Sequence, residues 1–263
     1  MFIEKVMSYA IITGASNGIG KSIAYKLASK RYNLVLAARS EDKLITIAED
    51  IRNKFGVEVL YSALDLSENN SDEKLLEFVQ QRNLPVSVLV NNAGYGLSGA
   101  LLENEKRDWI NMLDLNVISL TKLTYLFLPI LKLQQQSYIL NIASTAAYQA
   151  VPFLSLYSAS KSFVLSFSRG LAQELSGTNV SVTCVCPGPT DTNFIVRAKV
   201  GDKGQKAADK VNMTPDEVAT VAVNAMLKQR KEVVTGVINK LGVFLAWLLP
   251  KTLVERTSMK IYQ

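Results

Sequence analysis

The chain reads as an α/β protein: a doubly wound parallel sheet of about seven strands, with helices on both faces, in a single domain. Three observations predict this. Short, wholly apolar runs of strand length alternate with amphipathic stretches of helix length along nearly the whole sequence. Strands apolar at every position are the kind buried between two helical layers. A glycine-rich turn sits at the first strand-to-helix junction, whereas a closed eight-stranded barrel carries its phosphate site late in the chain. Finally, 263 residues at 48% apolar and 20% charged suffice to bury a full core and argue against disorder.

The first strand is YAIIT (9–13), followed by TGASNGIG and a helix over 18–29. NLVLAA (33–38) and VEVLYSA (57–63) supply the next two strands, each followed by a helix, over 41–54 and 70–82. VSVLV (86–90) leads to a long helix over 105–132, and YILNIA (138–143) to another over 155–176. VSVTCVC (180–186) and EVVTGV (232–237) complete the strands, with a helix over 215–229 between them. That helix opens at Thr214-Pro215-Asp216-Glu217, with threonine as cap, proline first and glutamate third. The stretch before it, 198–212, is polar and poorly periodic, the character of a lid loop or a plain surface insertion. No linker or internal repeat divides the chain. Residues 1–238 form the main body, and 239–263 a basic, apolar helical extension of the same domain.

Several classes are disfavoured by composition. There is no histidine, so a Ser-His-Asp triad is impossible. Cys184 and Cys186, two apart on one strand, point to the same face and read as buried thiols, which fits a reducing compartment. No histidine or third cysteine exists to complete a metal shell around them. The start MFIEKVMSYAIITG lacks the features of a signal peptide, and Val243 to Leu249 is too short to span a bilayer. A cytoplasmic protein is therefore expected. The net charge is +6, but residues 226–263 hold seven basic side chains against two acidic ones, leaving the rest at only +1. A basic tail on a nearly neutral body is not the spread basic face of a nucleic-acid binder.

Glycines 14, 18 and 20 in TGASNGIG let the backbone turn tightly and approach a pyrophosphate, with the helix N-terminus offering free N–H groups to it. A dinucleotide cofactor is the reading. The end of the second strand decides which one: an acidic residue there would hold the ribose diol of NAD. This strand ends in Arg39 and Ser40. A guanidinium grips a 2′-phosphate and a hydroxyl adds a bond, so NADP(H) is favoured.

In YSASK, Tyr157 and Lys161 lie four apart and share one helix face. With these residues, the sequence strongly resembles the short-chain dehydrogenase/reductase family over residues 8 to about 238. The motifs are TGASNGIG, Asp65 in ALDLS, NNAG (91–94), Asn116 in LDLNV, Ser144 in NIAS, Tyr157 with Lys161, and Pro187, Gly188 and Thr192 in PGPTDT. They fall in the family's order, with Ser144 thirteen residues before Tyr157. The resemblance implies a Rossmann-like fold and a catalytic set of Asn116, Ser144, Tyr157 and Lys161. It implies cofactor contacts at Gly14, Ser16, Asn17, Gly18, Ile19, Gly20, Arg39, Ser40, Asp65, Leu66, Asn92, Ala93, Gly94, Tyr157, Lys161, Pro187, Gly188, Thr190 and Thr192.

The residue types support that chemistry. Tyrosine has a reference pKa near 10, and a lysine cation one turn away together with an oxidised nicotinamide favours phenolate. Tyr157 is then the acid/base, and Ser144 hydrogen-bonds and orients the substrate oxygen. By family analogy Lys161 also binds the cofactor ribose, and Asn116 holds a water in a proton relay. A buried asparagine satisfying a helix backbone is the plainer reading of Asn116.

Tyr95, Tyr148, Val151, Pro152, Phe153, Leu154 and Phe194 are candidate substrate walls, mostly apolar or aromatic. They point to a ketone, steroid-like ketone or 3-oxoacyl chain. The expected function is NADP(H)-dependent interconversion of a carbonyl and a secondary alcohol, with a non-catalytic NADPH sensor or scaffold as the alternative. A sugar-nucleotide epimerase or dehydratase needs a longer C-terminal substrate domain. Leu120, Leu123, Phe163 and Phe167 are read as apolar residues beyond one core face, and the resemblance implies a homodimer through helices 105–132 and 155–176. For 239–263 three readings stand: a helix capping the substrate cleft, a dimer contact, or a peripheral membrane contact.

Overall fold

The computed structural model describes residues 8–190 and 212–262. Thr192, Phe194 and nearly all of the lid candidate at 198–212 lie outside the described residues.

Seven parallel strands form one sheet in the order β3-β2-β1-β4-β5-β6-β7. They are β1 (Tyr9–Thr13), β2 (Asn33–Ala38), β3 (Val59–Ala63), β4 (Val86–Asn91), β5 (Ser137–Ile142), β6 (Val180–Cys186) and β7 (Glu232–Val234). β1 pairs with both β2 and β4, so the strand order reverses there and opens a crevice beyond the carboxyl ends. This is a Rossmann-like fold. The final strand is shorter than expected because Gly236, at φ 79°, turns the chain directly into a helix.

The helices among the described residues are α1 (Gly18–Ser29), α2 (Glu41–Phe55), α3 (Ser71–Gln80), α4 (Lys106–Leu113), α5 (Leu120–Lys132), α6 (Ser155–Glu174), α7 (Pro215–Leu227), α8 (Val237–Leu248) and α9 (Lys251–Tyr262). Alternate residues of each strand serve opposite layers. Ile12, Leu36 and Val90 pack with Ile23, Leu27, Leu44 and Val223 of α1, α2 and α7. Ile11, Val35 and Leu89 pack with Leu75, Phe127 and Leu171 of α3, α5 and α6. α7 starts as its sequence predicts: the Thr214 hydroxyl accepts from the Glu217 N–H, and the Glu217 carboxylate accepts from the Thr214 N–H.

Between α4 and α5 the helix widens into a π turn over Asp114–Ser119, which carries Asn116. The whole stretch Lys106–Lys132 has the length and apolarity to cross a membrane. Yet Met112, Leu120, Leu123, Phe127 and Leu131 are buried in the core. This corrects one expectation: Leu120 and Leu123 are core residues, because this helix buries a broad face. Ile118, Tyr125 and Phe163 are the exposed ones, with Phe163 stacked on Phe167.

Candidate active site

At the carboxyl end of β1 the chain must turn sharply into α1. Gly14 does so at φ 65°, and Asn17 caps the helix by accepting the Gly18 N–H at 2.9 Å. The neighbouring strand fixes this loop. The Asn92 side chain donates to the carbonyls of Thr13 (2.9 Å) and Gly14 (3.3 Å). In return Thr13 Oγ1 accepts the N–H groups of Asn92 and Ala93. A Cβ at Gly14 would lie 2.8 Å from Asn92 Nδ2, and one at Gly20 would overlap the Gly14 carbonyl. These glycines therefore allow a backbone approach that no other residue permits.

A cavity of about 600 Å³ opens on this loop. Its walls include Gly14, Ser16, Asn17, Gly18 and Ile19 at one side, then Arg39, Ser40, Asp65 and Leu66. Arg39 Nη1 lies 3.3 Å from Asp65 Oδ2 and remains exposed. Asp65 Oδ1 accepts from the Ser67 amide and hydroxyl. Partial burial works to raise the Asp65 pKa, but the Ser67 bonds and the Arg39 guanidinium outweigh it and hold the carboxyl below its ordinary value. Ser40 starts α2 without using its hydroxyl as a cap.

The same cavity is lined by Asn92, Ala93, Gly94, Ser144, Tyr157, Lys161, Pro187, Gly188 and Thr190. Ser144 caps a short 3₁₀ turn (Thr145–Tyr148) beyond β5; its oxygen accepts the Ala146 N–H at 3.1 Å, leaving the O–H to donate elsewhere. One turn apart on α6, Lys161 Nζ lies 5.9 Å from the centre of the Tyr157 ring. Lys161 is 6% exposed and donates to the Ile142 carbonyl at 3.0 Å. Burial pushes its pKa down from 10.5 to about 8, partly opposed by the nearby Cys184 and Cys186 thiols. A side chain at Gly94 would strike the Asn116 carboxamide and come within 3.4 Å of Lys161 Nζ.

Asn116 does not reach the cavity. Its carboxamide donates to Tyr95 O (2.9 Å) and Ser160 Oγ (3.1 Å) and accepts the Tyr95 N–H (3.1 Å). It thus ties the loop after β4 to α6. Of the expected substrate walls, Tyr95, Val151 and Leu154 line the cavity. Tyr148, Pro152 and Phe153 are not among the lining residues. The Tyr148 hydroxyl is turned to Glu232, which Arg169 also binds, and lies 3.5 Å from Cys186 Sγ. Phe153 adopts φ 64° and presents its carbonyl to the Gly99 N–H at 2.8 Å.

Sequence reasoning named neither Gln149 nor any residue of α8 as a wall, although a helix capping the cleft was one of its three readings for 239–263: Asn239, Gly242, Val243 and Ala246 all line the cavity. Their i, i+3, i+4, i+7 spacing was a readable helical signal. Asn239 donates to the Thr235 carbonyl and packs so closely on Gly188 that a Cβ there would overlap its carboxamide. α9 is anchored to the cavity wall through a 3.0 Å bond between Gln149 Nε2 and Ser258 Oγ.

The glycine cradle, the cationic strand end and this cavity fit a nicotinamide dinucleotide. Fold and site together define a dinucleotide-dependent oxidoreductase. The chain belongs to the short-chain dehydrogenase family, whose sequence profile matches residues 8–202. It is 34% identical over 224 residues to an uncharacterized oxidoreductase of Staphylococcus saprophyticus, covering 85% of this chain and 93% of that one. It is 32% identical over 230 residues to an NADP-dependent 3-hydroxy acid dehydrogenase of Schizosaccharomyces pombe, covering 85% and 88%. A solved structure concerned with 7β-hydroxysteroid dehydrogenase stereoselectivity superposes at a TM-score of 0.85, with 25% identity and coverage of 95% and 96%. The chain spans about half the length of the fungal very-long-chain 3-oxoacyl-CoA reductases it also matches.

Proposed function

We propose that this protein interconverts a carbonyl and a secondary alcohol on an apolar compound, using NADP(H). The observation that carries the reading is that Ser144, Tyr157 and Lys161 line one cavity with the glycine loop and with Arg39 and Ser40. Gly14, Ser16, Asn17, Gly18 and Ile19 would hold the pyrophosphate, and Arg39 with Ser40 the 2′-phosphate. The bound cofactor supplies or accepts the hydride. Ser144 donates to the substrate oxygen and orients it. Tyr157 gives that oxygen a proton in reduction and removes one in oxidation. The Lys161 ammonium beside the ring stabilises the phenolate form. Asn116 is a positioning residue that holds Tyr95 against the cavity.

Tyr95, Val151, Leu154, Val243 and Ala246 make the substrate end mostly apolar, which suits a ketone, a steroid-like ketone or a 3-oxoacyl chain. Two names among its relatives accord with such substrates, a hydroxysteroid dehydrogenase and the very-long-chain 3-oxoacyl-CoA reductases, while others are named for polar ones such as sulfoacetaldehyde and L-sorbose. A homodimer through helices 105–132 and 155–176 accords with exposed Ile118 on the π turn, Tyr125 on α5 and Phe163 on α6. NADPH oxidation measured against aliphatic ketones, aldehydes, 3-oxoacyl thioesters and steroids tests the reading. Turnover with an apolar carbonyl is expected, and NADPH binding with silence across the panel would favour a sensor instead.

A further inference from the structure

Helix α8 has two apolar faces. Asn239, Gly242, Val243 and Ala246 look into the cavity. On the opposite side Val237, Leu241, Phe244 and Leu248 recur at i, i+4, i+7 and i+11, and they are 81%, 57%, 52% and 58% exposed. Trp247, 73% exposed, and exposed Lys240 border this stripe. A helix on the surface of a water-soluble domain turns polar residues outward; α8 turns hydrophobic ones outward. Leu249 and Leu253 carry the exposed apolar surface on into α9. Exposed Arg256 and Lys260 lie on α9, and like Lys240 they take part in no salt bridge among the described residues.

We propose that α8 and α9 form a docking surface for an anionic phospholipid bilayer. The α8 stripe enters the acyl boundary, and the basic side chains meet the headgroup charge. Charge selects this occupant: α8 and α9 hold Lys240, Lys251, Arg256 and Lys260 against Glu255 alone, a net +3, which a second copy would oppose with its own +3 and an anionic surface complements. The docking itself is independent of the reaction proposed above. One consequence rests on that reaction: because α8 also walls the cavity, docking sets that wall at the lipid surface, where apolar substrates dissolve.

The protein has two tryptophans. Trp109 is 7% exposed, so Trp247 is the one whose fluorescence responds at the stripe. The full chain is titrated with phosphatidylcholine vesicles, with or without about one third phosphatidylserine. A blue shift and co-sedimentation with the anionic vesicles are expected, weakened by salt of about 0.5 M. Phe244→Asn with Leu248→Asn should weaken partitioning about tenfold or more. Arg256→Glu with Lys260→Glu should weaken it while leaving the apolar stripe intact. In both variants reduction of a water-soluble ketone stays unchanged. Absence of binding to anionic vesicles, or equal binding to neutral ones, would overturn the proposal. So would a lipid-free dimer that Phe244→Asn with Leu248→Asn dissolves, which would give the stripe to a second copy. Vesicle binding by a protein inactive on every carbonyl would count against the proposed reaction and leave the docking standing.

Discussion

Replacing Lys161 by methionine should make the protein more stable and inactive, and the stability gain should depend on pH in a defined direction. Lys161 is 6% exposed, and its pKa is lowered from 10.5 to about 8 by burial. That gap corresponds to about 3 kcal/mol of cost for keeping the ammonium charged inside the fold at pH 7. Against it stands the 3.0 Å bond from Nζ to the Ile142 carbonyl, worth about 1 kcal/mol. Methionine has a similar length and no charge, so Lys161→Met should gain about 2 kcal/mol at pH 7. The sign with pH follows from linkage. Between about 8 and 10.5 the unfolded chain holds the Lys161 proton and the folded protein does not, so the native protein gains stability as pH rises through that window. The variant lacks this gain, and its advantage should shrink and disappear by about pH 10. Urea unfolding of both proteins at pH 7 and pH 10 measures the difference, and other titrating groups cancel between them. A variant less stable than the native protein at pH 7, or a difference independent of pH, would refute the reasoning. The expected pattern is a charge kept at the site at the expense of stability.

Three further outcomes are expected. Arg39→Ala should lower the ratio of NADPH to NADH affinity about tenfold or more, since a charge-assisted contact to the 2′-phosphate is lost; an unchanged ratio by fluorescence titration would remove Arg39 from cofactor choice. Gly188→Ala should cost about 1–3 kcal/mol in thermal or urea unfolding, because its Cβ meets the Asn239 carboxamide. Adding Asn239→Ala should recover most of that loss. At Glu232, burial works to raise the pKa, but the bonds from Arg169 and Tyr148 hold the carboxyl below its ordinary 4.5. Its stabilising contribution is present above 4.5 and is lost as pH falls through the folded value, so acid unfolding should be shallower in Glu232→Gln than in the native protein.

The parts of the fold and site set by local spacing were readable in the sequence. Strand positions followed from apolar runs, the glycine turn from three glycines, the Tyr157–Lys161 pairing on one helix face from a four-residue interval, and the α7 start from its capping box. What was not readable depended on distant partners. Tyr148 sits beside the site in the chain, but its side chain is drawn away by Glu232, 84 residues later. Asn116 stands out in the sequence as part of a motif, yet the π turn that aims it at Tyr95 has no simple sequence signature. The cavity face of α8 did have one, at 239, 242, 243 and 246. It was masked because the opposite face is apolar too, so the helix looked uniformly hydrophobic.

The central claim is that Tyr157 transfers the proton, and removing its hydroxyl tests that most directly. In Tyr157→Phe the ring and its packing against Val151 and Leu154 remain, so NADPH affinity by fluorescence titration should match the native protein. NADPH oxidation with whichever carbonyl the panel identifies should fall by at least about 10²–10⁴-fold. Unchanged binding with lost turnover is the predicted result, and turnover close to that of the native protein would contradict the account.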